Sequence, residues 1–112
     1  GFMLEMDVGV VKGVTVIKLE GDLTNKTFKK LDEEIDYLLY KQGMHFFIFD
    51  FNHVEKTDEN IFKDFQRKLV EIFLSCGKVV LCGLSDVFKE IRDSSRLFYV
   101  KDEFEALNCF SI

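Results

Sequence analysis

The sequence predicts an α/β fold: a mixed, mostly parallel sheet of about five strands with about four helices, in the order ββαβαβαβα. Three observations predict it. Two stretches of strand-like alternation or β-branched content open the chain close together. After them, apolar runs of strand length alternate with segments whose apolar residues recur at helical spacing. Between the first two helical segments, Phe46-Phe47-Ile48-Phe49-Asp50-Phe51 is almost continuously apolar, as a central strand covered on both faces would be. Alternation of strand and helix implies parallel pairing through right-handed crossovers, and the opening hairpin supplies one antiparallel edge.

The elements follow in order. Leu4, Met6 and Val8 share one face of a first strand, with Glu5 and Asp7 on the other. Lys12-Gly13 is a turn, and Val14 to Glu20 is a second, β-branched strand. Gly21-Asp22-Leu23-Thr24-Asn25 breaks the pattern. Phe28, Leu31, Ile35, Leu38 and Leu39 trace a helix that ends near Gly43. The phenylalanine-rich strand comes next, and Asn52 to Lys56 reads as a polar loop. A helix then begins at the turn from Thr57 to Phe62, with Ile61, Phe62, Phe65, Leu69, Ile72, Phe73 and Cys76 inward, and Gly77 ends it. Val79 to Cys82 is a buried strand, Ser85 to Asp93 a short helix, and Leu97 to Val100 a short strand. Asp102 to Phe110 is a last helix using Phe104 and Leu107.

The 112 residues fit one domain, taken as residues 3–112, with no proline, linker or repeat to divide it. Apolar residues make up 47% and phenylalanine alone supplies 13, which describes a core filled by large rings. The net charge of −5 argues against a general binder of nucleic acid or anionic membrane. No apolar run suits membrane insertion and no secretory leader is legible, so a cytoplasmic location is expected. Cys76, Cys82 and Cys109 form no CxxC pair and read as reduced, buried thiols. No glycine-rich phosphate loop, G-x-S-x-G or informative Cys/His pair is present, so neither catalysis nor a cofactor is expected. His53, Glu55 and Asp58 match no recognised metal-ligand spacing.

Four short elements, in order and at compatible spacing, carry a family resemblance over nearly the whole chain. Gly21-Asp22-Leu23-Thr24 looks like a G-[ED]-L-[DT] element after the second strand. Asp50-Phe51-Asn52-His53-Val54 looks like D-L-x-x-V at the end of the third. Asp58-Glu59-Asn60-Ile61-Phe62 falls where D-S-S-G-L is expected. Val87-Phe88-Lys89-Glu90-Ile91 through Arg96-Leu97-Phe98 looks like the V-x-x-x-[LF] helix and the strand after it. Together they resemble the STAS domain, shared by bacterial anti-sigma factor antagonists and the cytoplasmic tails of sulphate transporters. The resemblance implies a non-enzymatic regulatory module with a protein partner, an anti-sigma kinase or similar.

In the antagonist branch, the first serine of D-S-S-G-L is phosphorylated by that kinase, and the unmodified protein binds it. Here the serine position is Glu59, which has no hydroxyl but carries a fixed charge of about −1 against the roughly −1.5 to −2 of a phosphate. Thr57 is the one hydroxyl in this turn, and as a shifted phosphosite it competes with a simpler role as helix cap for Thr57 or Asp58. Acids at a helix start also complement the helix dipole without any partner. The expected docking residues are Asp22, Thr24, His53, Thr57, Asp58, Glu59, Asn60, Phe62 and Lys63. Glu59, Lys63 and Arg67 are spaced to form an exposed charged ladder, and Lys29, Lys30 and Lys68 read as solvated.

Two alternatives compete. Asp50 at the end of a buried strand, with Lys101 after the last strand, suggests a receiver-like domain phosphorylated on Asp50. That fold needs an acidic pair for Mg²⁺, and only Asp22 lies near the right loop. The other alternative is a non-switching structural adaptor subunit.

Overall fold

The computed structural model describes residues 3–85, 88 and 98–110. Strands β1 (Leu4–Val11) and β2 (Val14–Leu23) form the expected antiparallel hairpin about Lys12-Gly13. Helix α1 (Phe28–Asp36) runs on as a π-helical turn over Tyr37–Lys41. Strand β3 (Phe46–Thr57), helix α2 (Ile61–Leu74), β4 (Lys78–Cys82), β5 (Tyr99–Val100) and helix α3 (Glu103–Leu107) complete the described chain. The sheet order is β1-β2-β3-β4-β5, with β2 to β5 parallel and β1 the antiparallel edge. The described residues hold three α-helices, where about four were expected. The expected helix from Ser85 to Asp93 falls almost wholly outside the described residues, as does Leu97 of the last strand.

The period-2 alternation of β3 divides the core. Phe47, Phe49 and Phe51 point to the α1/α2 side, where they join Ile17, Leu19, Leu31, Ile35, Phe65 and Leu69. Phe65 of α2 meets Phe49 and Phe51 edge-on, with ring centroids at 5.2 and 5.6 Å. Ile48 points the other way, into a smaller cluster with Val14, Val16, Val80 and Cys82 under Ala106 and Phe110. Phe104, expected inward, is 74% exposed, because the short α3 turns Ala106 to the sheet.

Strand β3 is longer than the sequence indicated. Asn52 to Lys56 is strand, not loop, and Asp50 lies mid-strand rather than at its end. β4 pairs with β3 only as far as Asp50, so beyond it β3 is hydrogen-bonded to β2 alone. A strand half-open to water carries polar residues and reads as a loop. Two irregularities in the β2–β3 register, at Lys18/Glu20 and Gly21/Asp22, insert extra residues into β3. Gly21 serves the second: its φ is +97°, and a Cβ there would stand 2.5 Å from the Met3 carbonyl oxygen.

The end of α2 also differs. Cys76, not Gly77, takes the left-handed conformation, with φ 64°. Gly77 is needed for space, since a Cβ would collide with the His45 carbonyl and with Ile72. Of the three thiols expected to be buried, Cys82 is, Cys76 is exposed and Cys109 is intermediate; all three are free. Phe73, expected inward, is 42% exposed. No helix of the described residues is long and apolar enough to cross a membrane.

Candidate docking surface

Strand β3 ends at Thr57 and α2 begins at Ile61, so Asp58 to Asn60 form a connecting turn and not the first turn of the helix. Asp58 organises it. Its Oδ1 accepts the Ile61 N–H at 3.2 Å, satisfying one of the amides that a helix start leaves open. Its Oδ2 accepts the Asn25 N–H at 2.8 Å, from the loop between β2 and α1. Asn60 occupies the cap position, but its side chain makes no cap hydrogen bond. Thr57 is not the cap either: its Oγ1 is buried and has no hydrogen-bond partner.

The loop that Asp58 reaches is itself tied down by Thr27, which is 7% exposed. Thr27 Oγ1 donates to the Asp22 carbonyl at 2.6 Å and accepts from the Thr24 N–H at 3.0 Å. The Asp22 N–H reaches back to the Met3 carbonyl at 2.8 Å. The Thr24 carbonyl accepts from Phe28 at 2.9 Å, which starts α1, and the Thr24 hydroxyl accepts from Lys26 N–H.

Six of the nine expected residues therefore meet at one end of the sheet. Glu59, Asn60 and Lys63 are exposed there, Thr24, Asp58 and Phe62 are half-buried, and Phe62 rests on the main core. Three are placed differently. Asp22 is 7% exposed and lies beneath the loop, in register with Lys56. Thr57 keeps its hydroxyl inside. His53 is four residues up β3, about 13 Å along an extended strand. It pairs in register with Glu20 and lines a cavity of about 280 Å³ with Glu5, Asp7 and Lys18. The Glu59–Lys63–Arg67 ladder does not form either: Arg67 pairs with Asp64 instead.

Sequence reasoning missed the neighbouring cleft between α1 and α2, about 530 Å³, lined by Asn25, Asp32, Asp36, Asp64, Lys68 and Glu71 among others. Lys68, expected to be solvated, is 7% exposed. Its Nζ stands 2.6 Å from Asp32, 2.5 Å from Asp36 and 2.9 Å from Glu71. Burial by itself would lower the lysine pKa, but the three carboxylates that accept from it outweigh that effect and hold it above the ordinary value. Glu71 also accepts the Tyr40 hydroxyl at 2.6 Å, and that bond, with Lys68, lowers its pKa. The signal was present in the sequence: Lys68 falls in helical phase with Ile61, Phe65 and Ile72, an apolar position, and Asp32 and Asp36 are one turn apart.

On the other face, Asp50 sits between Lys18 and Cys82 in the sheet register and accepts the Asn52 N–H at 2.9 Å. Glu103 of α3 adjoins Asp50 and lies 3.7 Å from Lys18. Desolvation, then Asp50, raises its pKa to about 6. The receiver-like reading fails on topology. Such doubly wound folds order their strands 2-1-3-4-5, whereas this sheet runs in sequence from an antiparallel edge, with Asp50 mid-strand. Among the described residues no three His, Cys, Asp or Glu side chains converge as a metal site, and His53, Glu55 and Asp58 are not brought together.

Comparison with known proteins agrees with this architecture. A search of curated protein sequences finds no significant match. Among solved structures, the chain is similar to the anti-sigma factor antagonist SpoIIAA in its unphosphorylated form, at TM-score 0.75 and 16% identity over 96% of both chains. It is similar to the Bacillus cell fate determinant SpoIIAA in the phosphorylated form, at TM-score 0.77 and 17% identity over 96% of this chain and 98% of that one. A putative anti-sigma factor antagonist from Thermotoga maritima superposes at TM-score 0.81, with 13% identity over 92% of both chains. At these identities the likeness is one of fold. The STAS domain family model matches residues 5–106, nearly the whole length, and the chain belongs to the STAS domain family.

Proposed function

We propose that this chain is a regulatory protein–protein interaction module of the anti-sigma factor antagonist type. It docks a protein partner, an anti-sigma kinase or related signalling protein, through Glu59, Asn60, Lys63 and the adjoining Thr24-Asn25 loop. The observation that carries this reading is the double acceptance by Asp58, which joins the loop before α1 and the start of α2 into one preorganised surface. The fold shared with SpoIIAA, a protein solved in phosphorylated and unphosphorylated forms, supports it.

Glu59 gives this surface a charge that no kinase or phosphatase changes. It is exposed at the position where the resemblance puts a phosphorylated serine. The hydroxyl of Thr57 is buried, which keeps it from a kinase while the fold is intact. The partner thus meets a permanent carboxylate instead of a switched phosphate.

Titration of the wild-type chain and of Glu59→Ser against candidate anti-sigma kinases tests this, with intact-mass analysis after incubation with ATP. Wild type stays unmodified, and the variant differs from it in affinity by about tenfold, the equivalent of one charge-assisted contact. Equal affinities would remove Glu59 from the surface. A phosphate on Thr57 would overturn the constant-charge reading.

A further inference from the structure

The docking surface is built from two segments, each at the end of a helix, and Asp58 joins them at one point. Beneath the surface, Leu31 and Ile35 of α1 and Phe65 and Leu69 of α2 share the main core. Above it the helices are parted by an open cleft, where apolar packing does not hold one against the other. A second tie exists deeper in the cleft. Lys68, on α2, is held by Asp32 and Asp36 of α1 and by Glu71 of its own helix. It lies seven residues after Ile61, about 10 Å along α2. Two polar ties about 10 Å apart hold the cleft at two points along α2, where one holds it only at the end.

We infer that Lys68 is a positioning residue for partner recognition: through Asp32 and Asp36 it sets α1, and with it the Thr24-Asn25 loop, against the α2 turn that carries Glu59. Several features suit it to this work. A lysine with one carboxylate could swing between partners, whereas three carboxylates from two helices hold the ammonium from several sides. Its burial shields the pairs from salt, unlike the exposed Lys29–Glu33 pair of α1. The Tyr40 hydroxyl fixes Glu71, so the network reaches the π-helical turn that ends α1. This inference rests on the docking surface proposed above.

The test uses the intact chain and a double variant, Asp32→Asn with Asp36→Asn, that frees α1 while leaving Lys68 its Glu71 counter-ion. Because both aspartates keep contact with water, the fold is retained, as a cooperative thermal transition would verify. Two readouts are taken: hydrogen exchange of the Asn25 amide in the free protein, and affinity for the anti-sigma kinase used in the Glu59→Ser titration. The inference expects Asn25 exchange to rise and affinity to fall, each about tenfold. Lys68→Arg, which keeps the charge and both aspartates, departs from wild type less than the double variant does on both readouts. Unchanged exchange at Asn25 in the double variant overturns the inference, whatever the affinity does. If Glu59→Ser alters affinity and the double variant does not, the inference fails and the docking surface stands. If the kinase ignores all forms, the docking reading fails, and Asn25 exchange still decides whether Lys68 positions the loop.

Discussion

Asp58 Oδ2 accepts the backbone N–H of Asn25 at 2.8 Å across thirty-three residues of chain, while Oδ1 of the same carboxylate accepts Ile61 N–H. One side chain therefore caps a helix and anchors a distant loop. Asp58→Ala removes both bonds and is expected to cost about 1–2 kcal/mol. Asp58→Asn, which keeps one oxygen acceptor, should cost about half as much. Urea denaturation of the three proteins measures this, and equal midpoints would show that the carboxylate contributes nothing.

Glu103 makes stability fall as pH rises through the weakly acidic range. Desolvation, then the neighbouring Asp50 carboxyl, raises its pKa from 4.5 to about 6, against the opposing pull of Lys18. The folded state thus binds a proton more tightly than the unfolded one. The resulting stabilisation is complete below pH about 4.5 and gone above about 6, a loss of about 1–2 kcal/mol. Glu103→Gln, which stays neutral, should flatten this part of the profile. Urea midpoints at intervals between those two pH values give the slope, and a wild-type slope of zero or of opposite sign would refute the assignment.

Gly21 is the residue the β2–β3 irregularity cannot replace. With φ at +97° and the Met3 carbonyl oxygen 2.5 Å from any Cβ, Gly21→Ala is expected to cost about 2 kcal/mol or more. Gly9 on β1 is the control, because a Cβ there meets nothing within 4 Å. Its alanine variant should stay within about 0.5 kcal/mol of wild type. Thermal melts of the pair separate a local backbone requirement from a general aversion of the hairpin to substitution.

The three thiols should label in a defined order. Cys76 is exposed and reacts first with a thiol-directed disulfide reagent. Cys82 is fully buried, and burial, with Asp50 beside it, pushes its thiol up to about 12, so it reacts only when the protein unfolds. Peptide mapping of the modified protein, with and without denaturant, reads this order. Early labelling of Cys82 would contradict the packing around β4.

Strand and helix periodicity made the αβ alternation, the opening hairpin and the central Phe46–Phe51 strand legible, because a side chain's face is set by local geometry. The same patterns misread Asn52 to Lys56. Past Asp50, β3 borders only β2, and polarity follows from which neighbour is missing, a fact no local window contains. Of the candidate site, the place of the Asp58 turn before α2 was legible, although the sequence read it as the first turn of that helix, and Glu59 is exposed as expected. That Asp22 lies under the surface and His53 farther up β3 beside Glu20 depended on the two register irregularities, which sequence spacing does not reveal.

The sequence by itself determined the kind of fold, the order of its described elements and the absence of a serine at Glu59, since these rest on residue identity and on periods of two and 3.6 residues. Only the tertiary structure decided which groups would pair. Asp58 reaches Asn25, and Lys68 reaches Asp32 and Asp36, because the parallel crossover sets α1 beside α2. The cost of burying Lys68 is offset by carboxylates more than thirty residues away in the chain, and that compensation exists only once the two helices lie side by side.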